Sequence, residues 1–280
     1  MNQKLQTRKE QGELIAKKAA ALAMEYYRNP SRLQTRNKGL QDQVSDGDVA
    51  VEKFIREELT KAFPDDGLIG EEEDVLVPSS SGYTWVIDPI DGTSNFVRSA
   101  PGWCVVLCLV DATQQLIGII HDPIAQESYV AVRGQGCTLN GEPVQVSPSI
   151  SLADGSVAMG MSNRTPAEQI VRAIERLAAA DGLFYRNGSG ALMLAYVSNG
   201  RLNGYCEPHM NAWDCLAGML MIEEAGGVVE DFDMATMLKD GGRVIAACPG
   251  IYEQIHTICV ESYVNPAVRA CRKLVLAIGR

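Results

Sequence analysis

Carboxylates around one apolar segment are the residues best suited to chemistry in this sequence. Gly70-Glu71-Glu72-Glu73 precedes the segment Trp85-Val86-Ile87, and Asp88-Pro89-Ile90-Asp91-Gly92-Thr93-Ser94-Asn95-Phe96 follows it directly. The proline favours an extended backbone at the residue before it, and Asp-Gly is typical of a turn. The pattern predicts a buried strand that delivers Asp88 and Asp91 to one bend, where the two anions repel each other unless a cation lies between them.

The ligand types narrow the choice of cation. Oxygen ligands with no histidine or cysteine among them select a hard ion such as Mg²⁺, Mn²⁺ or Ca²⁺. Mg²⁺ combines few protein carboxylates with waters and substrate phosphate. Gly92 permits close approach of the backbone, and the amides of Gly92, Thr93 and Ser94 stand at a predicted helix start that suits an anion. The motif therefore predicts metal-assisted phosphoryl transfer.

A charged surface loop is the alternative interpretation. An Asp-x-x-Asp pair is common in solvated turns, and the run Glu71-Glu72-Glu73-Asp74 has the composition of an exposed loop. A solvated turn, however, requires neither an apolar strand in front of it nor a Gly-Thr-Ser-Asn helix start behind it. The combination favours the chemical interpretation.

The composition restricts the class of protein. A chain of 280 residues with 46% hydrophobic and 21% charged residues is globular, with room for one large domain or two coupled ones. Its apolar runs fall short of the roughly 20 residues of a membrane span, and its start lacks the features of a secretory signal, which favours a cytoplasmic location. The net charge of −10 argues against a nucleic-acid surface, and the eight scattered cysteines are expected to be reduced.

The periodicity of apolar residues predicts a layered fold with helices and sheets. Helices are expected at the start of the chain and from Asp48 to Ala62, with Asp48 as the N-cap of the second. Strand-like segments follow, and Thr165-Pro166-Ala167-Glu168 predicts a capping box with proline at the first helical position. The chain from Ile251 onward is also expected to be mostly helical. Helices precede strands in the first half and alternate with them in the second, which predicts an α/β or α+β fold in two parts, 1–147 and 148–280.

Three motifs together resemble the inositol monophosphatase family, a group of magnesium-dependent, lithium-sensitive sugar phosphatases. They are Gly70-Glu71-Glu72, the run from Asp88 to Phe96, and Trp213-Asp214-Cys215-Leu216-Ala217-Gly218. A fourth stretch, Asp42-Gln43-Val44-Ser45-Asp46-Gly47-Asp48, is similar to the family's Asp-x-Val-Thr-x-x-Asp, with Ser45 in place of threonine. The resemblance implies an αβαβα sandwich and a homodimer.

The resemblance also implies a set of metal ligands. Glu71, Asp88 and the backbone carbonyl of Ile90 would hold a first ion. Asp88, Asp91 and Asp214 would hold a second, and Glu71 with waters a third, looser one. The expected cofactor is two to three Mg²⁺ ions, with Mn²⁺ as a possible replacement.

Catalytic and substrate-binding residues follow from the same resemblance. Thr93, linked to Asp48 or Glu72, would orient the attacking water, and Lys38 matches a basic residue ahead of Asp42. The amides at the start of the helix would bind the phosphate group, and small residues with one glutamate would bind the polyol. The substrate-binding residues expected on this basis are Gly92, Thr93, Ser94, Ser189, Gly190 and Glu207.

The resulting expectation is a phosphomonoesterase for a small phosphate ester such as inositol monophosphate. Fructose-1,6-bisphosphate, histidinol phosphate and 3′-phosphoadenosine 5′-phosphate are alternative substrates for the same chemistry. No basic cluster is evident near the motifs in the sequence, which favours a monophosphate. A protein of another class remains open, namely a non-catalytic one that uses the acidic cluster to bind a metal ion or a protein partner.

Overall fold

The computed structural model describes residues 3–30, 33–39, 42–73, 76–161 and 164–263, with the side chains of 37–39 and 42–43 excepted. These residues form eight α-helices, a short 3-10 helix at Leu152–Asp154, two large sheets and a two-stranded ribbon. The helices are α1 Gln3–Tyr27, α2 Asp46–Ala62, α3 Thr93–Phe96, α4 Ala167–Ala179, α5 Gly190–Ser198, α6 Ala212–Glu224, α7 Met234–Asp240 and α8 Tyr252–Tyr263. The strands of the first half are β1 Thr35–Gly39, β2 Asp42–Ser45, β3 Gly67–Gly70, β4 Thr84–Asp91, β5 Cys104–Val110, β6 Gln115–Asp122, β7 Glu127–Val132, β8 Cys137–Leu139 and β9 Glu142–Val144. Those of the second half are β10 Ser156–Met159, β11 Leu183–Tyr185, β12 Gly204–Met210, β13 Val228–Val229 and β14 Gly242–Ala247.

A seven-stranded sheet lies between two pairs of helices. Its strand order is β3-β4-β5-β6-β7-β8-β9, and only the β3–β4 pair is parallel. Alternate residues of a strand face opposite sides, and β5 is apolar on both. Val105 and Leu107 pack with α1 and α2, whereas Val106 and Cys108 pack with α5 and α6. The continuous apolar run of β5 is therefore the sequence signature of a strand covered on both faces.

A five-stranded sheet of order β11-β10-β12-β14-β13 adds the next layer. Its Tyr205 and Ala246 share a core with α5 and α6, and its Cys206 and Ile245 share another core with α4 and α8. The layers are therefore helices, sheet, helices, sheet, helices, which confirms the predicted αβαβα sandwich.

The division of the chain into 1–147 and 148–280 stays a prediction. The change from one sheet to the other falls between β9 and β10, in agreement with that boundary. However, α5 and α6 come from the second half of the chain and cover the sheet of the first half. A helical span suited to crossing a bilayer does not occur within the described ranges.

Two predicted helix starts were wrong in detail. Helix α2 begins at Asp46, and its N-cap is Ser45, because the serine side chain accepts from the amides of Gly47 and Asp48. Helix α4 begins at Ala167 with Pro166 in the N-cap position and no side-chain hydrogen bond there, so the predicted capping box at Thr165 does not form. Short strands without strong periodicity, such as β3 and β11, were not anticipated. Residues 264–280, expected to be helical, lie outside the described part of the chain.

Candidate active site

A bulge in β4 brings two acidic residues of the motif to the same side of the sheet. Asp88 pairs with Val106 of β5 and Asp91 pairs with Cys104, so three residue steps on β4 match two on β5. In a regular strand, residues three apart face opposite sides, and one extra residue reverses this relation. Pro89 suits such a position, because it has no N–H to contribute to the ladder.

Asp88 is the most deeply buried of the carboxylates predicted to bind metal. The residue is 1% exposed, and its Oδ1 accepts from the backbone N–H of Ile90 at 2.9 Å. Its Oδ2 is buried and has no hydrogen-bond donor among the described residues. Burial first, and then the charges of Glu71, Asp91 and Asp214, raise the pKa of Asp88 well above its usual range.

Three carboxylates converge on one point. Oxygen atoms of Glu71, Asp88 and Asp214 all lie within 4.8 Å of one another. Asp91 is outside this group, although it is close enough to raise the pKa of Asp214. A cluster of anions with an oxygen that lacks a donor matches the needs of a hard divalent cation, which accepts oxygen ligands and removes the repulsion. The residues present therefore fit a metal ion.

Asp91 links β4 to the start of α5. Its Oδ2 accepts from the Ser189 hydroxyl and, at 2.7 Å, from the backbone N–H of Ala191. Burial raises the pKa of Asp91, and these hydrogen bonds lower it. Ser189 is fully buried, so in this structure its hydroxyl positions Asp91 and does not face an open pocket. Its predicted contact with substrate stays a prediction that this geometry does not favour.

Asp48 and Thr93 meet across two elements that are distant in sequence. The Thr93 hydroxyl lies 3.1 Å from Asp48 Oδ1 and 3.1 Å from the carbonyl oxygen of Ile90. The other oxygen of Asp48 accepts from the backbone N–H of Ser45 at 2.9 Å and from the Ser45 hydroxyl. Asp48 is fully buried, and burial raises its pKa despite these hydrogen bonds. The Asp48–Thr93 pair expected from the sequence is thus present as a contact.

Asp214 reaches the cluster from the start of α6. It accepts from the backbone N–H and the side-chain amide of Asn211, both at 3.2 Å to Oδ2. Burial first, and then the charge of Asp91, raise the pKa of Asp214 to about 7. One carboxylate oxygen is thereby fixed at the helix start, and the carboxylate is directed towards Glu71 and Asp88.

Glu207 lies on β12 beside a second bulge. Glu207 pairs with Val244 and Met210 pairs with Gly242, so β12 again has one residue more than its partner strand. The Tyr205 hydroxyl donates to Glu207 Oε2 at 2.6 Å. Burial is the main reason why the pKa of Glu207 rises to about 7, and the hydrogen bond from Tyr205 opposes the shift.

The other predicted residues surround this core. Gly92 has a φ of 95°, a left-handed conformation that favours glycine, and a Cβ there would lie 2.6 Å from the carbonyl oxygen of Gly102. Ser94 is exposed at the start of the four-residue helix α3. Gly190 begins α5 beneath Tyr205, and the backbone N–H of Glu72 donates to Glu52. The side chain of Lys38 lies outside the described part of the chain.

Three contacts around the site were not found from the sequence. Glu52 binds the loop that carries Glu71, Tyr205 binds Glu207, and Arg164 Nη1 donates to Asn211 Oδ1 at 2.7 Å. Glu52 stands four residues after Asp48 and four before Arg56, which is the spacing of one helix face, and this was the available signal. No comparable pattern marks Arg164, because its contact joins segments that are 47 residues apart.

Comparison with known proteins agrees with this geometry. The model of the inositol monophosphatase family matches residues 4–263. A protein of Pasteurella multocida named "Nus factor SuhB" is 36% identical over 246 residues, which cover 86% of this chain and 91% of that protein. The "Inositol-1-monophosphatase" of Mesorhizobium japonicum is 37% identical over 217 residues, which cover 76% of this chain and 81% of that one.

Solved structures give the same result. The crystal structure of the extragenic suppressor protein SuhB from Bartonella henselae has a TM-score of 0.83 and 32% identity, and covers 89% of this chain and 97% of that one. A structure of the Thermotoga maritima IMPase has a TM-score of 0.80 and 28% identity, with 91% and 97% of the two chains covered. The family resemblance of the sequence motifs is confirmed, and the chain belongs to the inositol monophosphatase family.

Proposed function

We propose that this chain is a magnesium-dependent phosphomonoesterase that hydrolyses a small polyol phosphate, with inositol monophosphate as the leading candidate. The observation that carries this proposal is the convergence of Glu71, Asp88 and Asp214 within 4.8 Å, with Asp88 Oδ2 buried and without a donor among the described residues. The three carboxylates repel one another unless cations bind between them. Family membership supports the reaction class.

Several acidic residues and one backbone carbonyl would bind the cations together. Glu71, Asp88, Asp214, Asp91 and the carbonyl of Ile90 would hold two to three Mg²⁺ ions, or Mn²⁺ in their place. When bound, the ions supply positive charge that neutralises the phosphate and makes a water molecule more acidic. The fixed hydrogen bonds of Asp88, Asp91 and Asp214 keep these carboxylates in position before any ion arrives.

Thr93 and Asp48 would accept the proton that the attacking water releases. The Thr93 hydroxyl donates to Asp48 Oδ1 or to the Ile90 carbonyl, so its lone pairs are available to accept from a water. As the water oxygen bonds to phosphorus, its proton passes through Thr93 to Asp48, whose raised pKa favours uptake. The phosphorus–ester bond breaks, its electron pair stays on the ester oxygen, and that oxygen takes a proton from solvent. Glu72 stays the alternative partner for Thr93.

The substrate would contact residues from both halves of the fold. The backbone N–H groups of Gly92, Thr93 and Ser94 would donate to the phosphate group, because the first N–H groups of a helix have no acceptor within it. Glu207 and Gly190 would contact the hydroxyl groups of the polyol. Tyr205 fixes one oxygen of Glu207, which leaves the other to accept from a substrate hydroxyl.

Phosphate release from inositol 1-phosphate tests the proposal. We expect turnover that requires Mg²⁺, is inhibited by Li⁺, and falls by about a thousand-fold in Asp88→Asn, since a lost ion removes several kcal/mol of transition-state stabilisation. Unchanged turnover in that variant would reject the metal assignment. A panel with fructose-1,6-bisphosphate, histidinol phosphate and 3′-phosphoadenosine 5′-phosphate, compared by kcat/KM, identifies the preferred ester.

A non-catalytic role in binding a protein partner is the second candidate. The observation that favours it is the name "Nus factor SuhB" carried by similar proteins such as the one from Pasteurella multocida. This candidate predicts that the chain binds metal but releases no phosphate from any ester of the panel. It gives no reason for the contact between Thr93 and Asp48.

Self-association is also part of the proposal. Strand β11 lies at the edge of its sheet, and its Leu183 and Phe184 are 63% and 44% exposed. Exposed apolar residues on an edge strand suit a contact with a second copy. We propose a homodimer, which light scattering of the wild type and of Leu183→Asp tests; the variant is expected to shift towards monomer.

A further inference from the structure

Glu52 lies beneath the loop that carries Glu71. The residue belongs to α2, four positions after Asp48, and its side chain is completely buried. Isolated buried carboxylates are unfavourable, so this one requires partners that compensate for the loss of water. Its partners lie in the loop itself and one turn further along the same helix.

Glu52 contacts the backbone on both sides of Glu71. Its Oε2 accepts from the N–H of Glu72 at 2.8 Å, and its Oε1 accepts from the N–H of Glu73 at 3.2 Å. Before Glu71, the backbone passes so close that a Cβ added at Gly70 would lie 2.0 Å from Glu52 Oε1. The contacts with Glu52 therefore set the direction in which the chain leaves β3, and with it the position of Glu71.

Arg56 completes the contact and balances the charge of Glu52. Its Nε donates to Glu52 Oε1 at 2.7 Å, and its Nη2 donates to the carbonyl oxygen of Glu73 at 3.2 Å. A paired carboxylate attracts the loop amides without adding an uncompensated negative charge next to the acidic cluster. The pair thus holds a donor and an acceptor of the same loop.

We propose that Glu52 and Arg56 are positioning residues that aim Glu71 at Asp88 and Asp214. The inference rests on the proposed function only in taking Glu71 as a metal ligand. Without the pair, the loop after β3 loses its attachment to α2, and Glu71 must be ordered when the ion binds. Metal affinity falls as a result, and the reacting groups Asp48 and Thr93 are not altered.

Metal titration of the full chain tests this role. In Glu52→Gln, the glutamine amide nitrogen cannot accept, so one loop N–H loses its partner. Arg56 loses its buried counter-charge and keeps only the half-exposed carboxylate of Glu73, 3.5 Å from its Nε. We expect the dissociation constant for Mn²⁺, measured by calorimetry on metal-free protein, to rise by about 10- to 100-fold. The matched control is Glu58→Gln, which removes a carboxylate of the same helix that pairs with Lys61 and Lys18 on the surface. The control should bind Mn²⁺ like the wild type.

Activity gives an independent readout. We expect the Mg²⁺ concentration for half-maximal turnover to rise in Glu52→Gln by the same factor as the Mn²⁺ dissociation constant, with kcat recovering at saturating Mg²⁺. A merely structural anchor would lower the melting temperature and leave metal affinity unchanged. Folded Glu52→Gln with wild-type affinity for Mn²⁺ would overturn the proposal.

Gly70→Ala perturbs the same contact while Glu52 stays in place. Its Cβ would push against Glu52 Oε1, so we expect weaker Mn²⁺ binding here as well. If Glu52→Gln does not fold, this variant decides the question, and unchanged affinity in it overturns the proposal. Wild-type protein that binds Mn²⁺ without hydrolysing any ester would reject the proposed phosphatase activity alone, whereas wild-type protein that binds no Mn²⁺ would reject both.

Discussion

Asp48 and Asp214 occupy the same position in two different helices. Each is the third residue of its helix, and each accepts a hydrogen bond from the backbone N–H of the N-cap residue, Ser45 or Asn211. The local motif is therefore the same, and it places a carboxylate at the positive end of a helix. The surroundings differ, and they separate the proposed roles of the two residues.

The difference lies in what the second oxygen of each carboxylate can reach. Asp48 is fully buried, and its second oxygen lies beside the Thr93 hydroxyl. Asp214 is partly exposed and reaches the group formed by Glu71 and Asp88. One helix start thus presents a carboxylate to a hydroxyl that can pass on a proton, and the other presents a carboxylate to other anions, where a cation would relieve the repulsion. A capping interaction fixes an acid in space, and the neighbouring elements decide its chemistry.

The N-caps themselves also differ. The Ser45 side chain accepts from the amides of Gly47 and Asp48, so it satisfies the helix start directly. The side-chain oxygen of Asn211 accepts from Arg164 Nη1 at 2.7 Å, and its side-chain amide donates to Asp214. The cap of α2 therefore serves stability, whereas the cap of α6 connects an exposed arginine to a proposed metal ligand.

Removal of the charge of Asp214 should have the largest effect. Asparagine keeps an oxygen that can accept from the Asn211 backbone, but it cannot neutralise a cation. In Asp214→Asn we expect kcat/KM to fall by about a thousand-fold, because several kcal/mol of transition-state stabilisation are lost. Mn²⁺ affinity measured by calorimetry should fall in parallel. Wild-type Mn²⁺ affinity in this variant would contradict its place in the metal site.

The same substitution at Asp48 should affect turnover and spare metal binding. In Asp48→Asn, Thr93 loses its proton acceptor, and we expect kcat to fall by about 100-fold or more. Mn²⁺ affinity should match the wild type, because Asp48 is not a member of the carboxylate group that converges on one point. A loss of metal affinity equal to that of Asp214→Asn would show that the two acids do not differ in role.

The sequence alone predicted the buried strand and the acidic motif at its end. The apolar run before Asp88 predicted a buried strand, and β4 extends from Thr84 through Asp91. The bulge that places Asp88 and Asp91 on one side could not be predicted from alternation alone, since it depends on pairing with β5. The layered fold was predicted by resemblance to a family, because periodicity does not show which helices cover which sheet.

Contacts that the sequence does not reveal explain where the structure differs from the predictions or adds to them. Asp48 was predicted as an N-cap, but the serine three residues earlier caps the helix, and Asp48 instead accepts from it. The predicted contact of Ser189 with substrate stays a prediction, and the structure adds a bond from its hydroxyl to Asp91, which is 98 residues away in sequence. A small polar residue next to a glycine has many possible partners, and only the tertiary structure selects one.

Removal of the two N-caps should separate stability from metal binding. In Ser45→Ala, the amides of Gly47 and Asp48 lose their acceptor, and we expect a loss of about 1 kcal/mol in the free energy of unfolding. In Asn211→Ala the loss should be smaller, since its side-chain oxygen is occupied by Arg164, but Mn²⁺ affinity should fall because Asp214 loses a donor. Urea unfolding and calorimetry of both variants check this, and equal losses of stability would contradict it.

The smallest expected effect is a difference in how stability depends on pH. Burial raises the pKa of Asp214 from 3.8 to about 7, so the folded, metal-free protein holds this proton more tightly than the unfolded chain does. Its contribution to stability is complete below the unfolded pKa and is lost as the pH rises towards 7. Asp214→Asn has no such proton. We therefore expect the melting temperature of the wild type, relative to that of the variant, to fall continuously from pH 4 to pH 7 in the presence of a chelator.

Saturating Mg²⁺ should reverse this dependence, because bound cations favour the ionised carboxylate and compete with the proton. Asp48→Asn serves as the comparison, since burial also raises the pKa of Asp48 but its carboxylate is not part of the group with Glu71 and Asp88. The melting temperature of Asp48→Asn should therefore keep the Mg²⁺-dependent reversal, and that of Asp214→Asn should lose much of it. Parallel curves for the wild type and Asp214→Asn, with and without Mg²⁺, would show that the Asp214 carboxylate contributes to neither proton uptake nor metal binding.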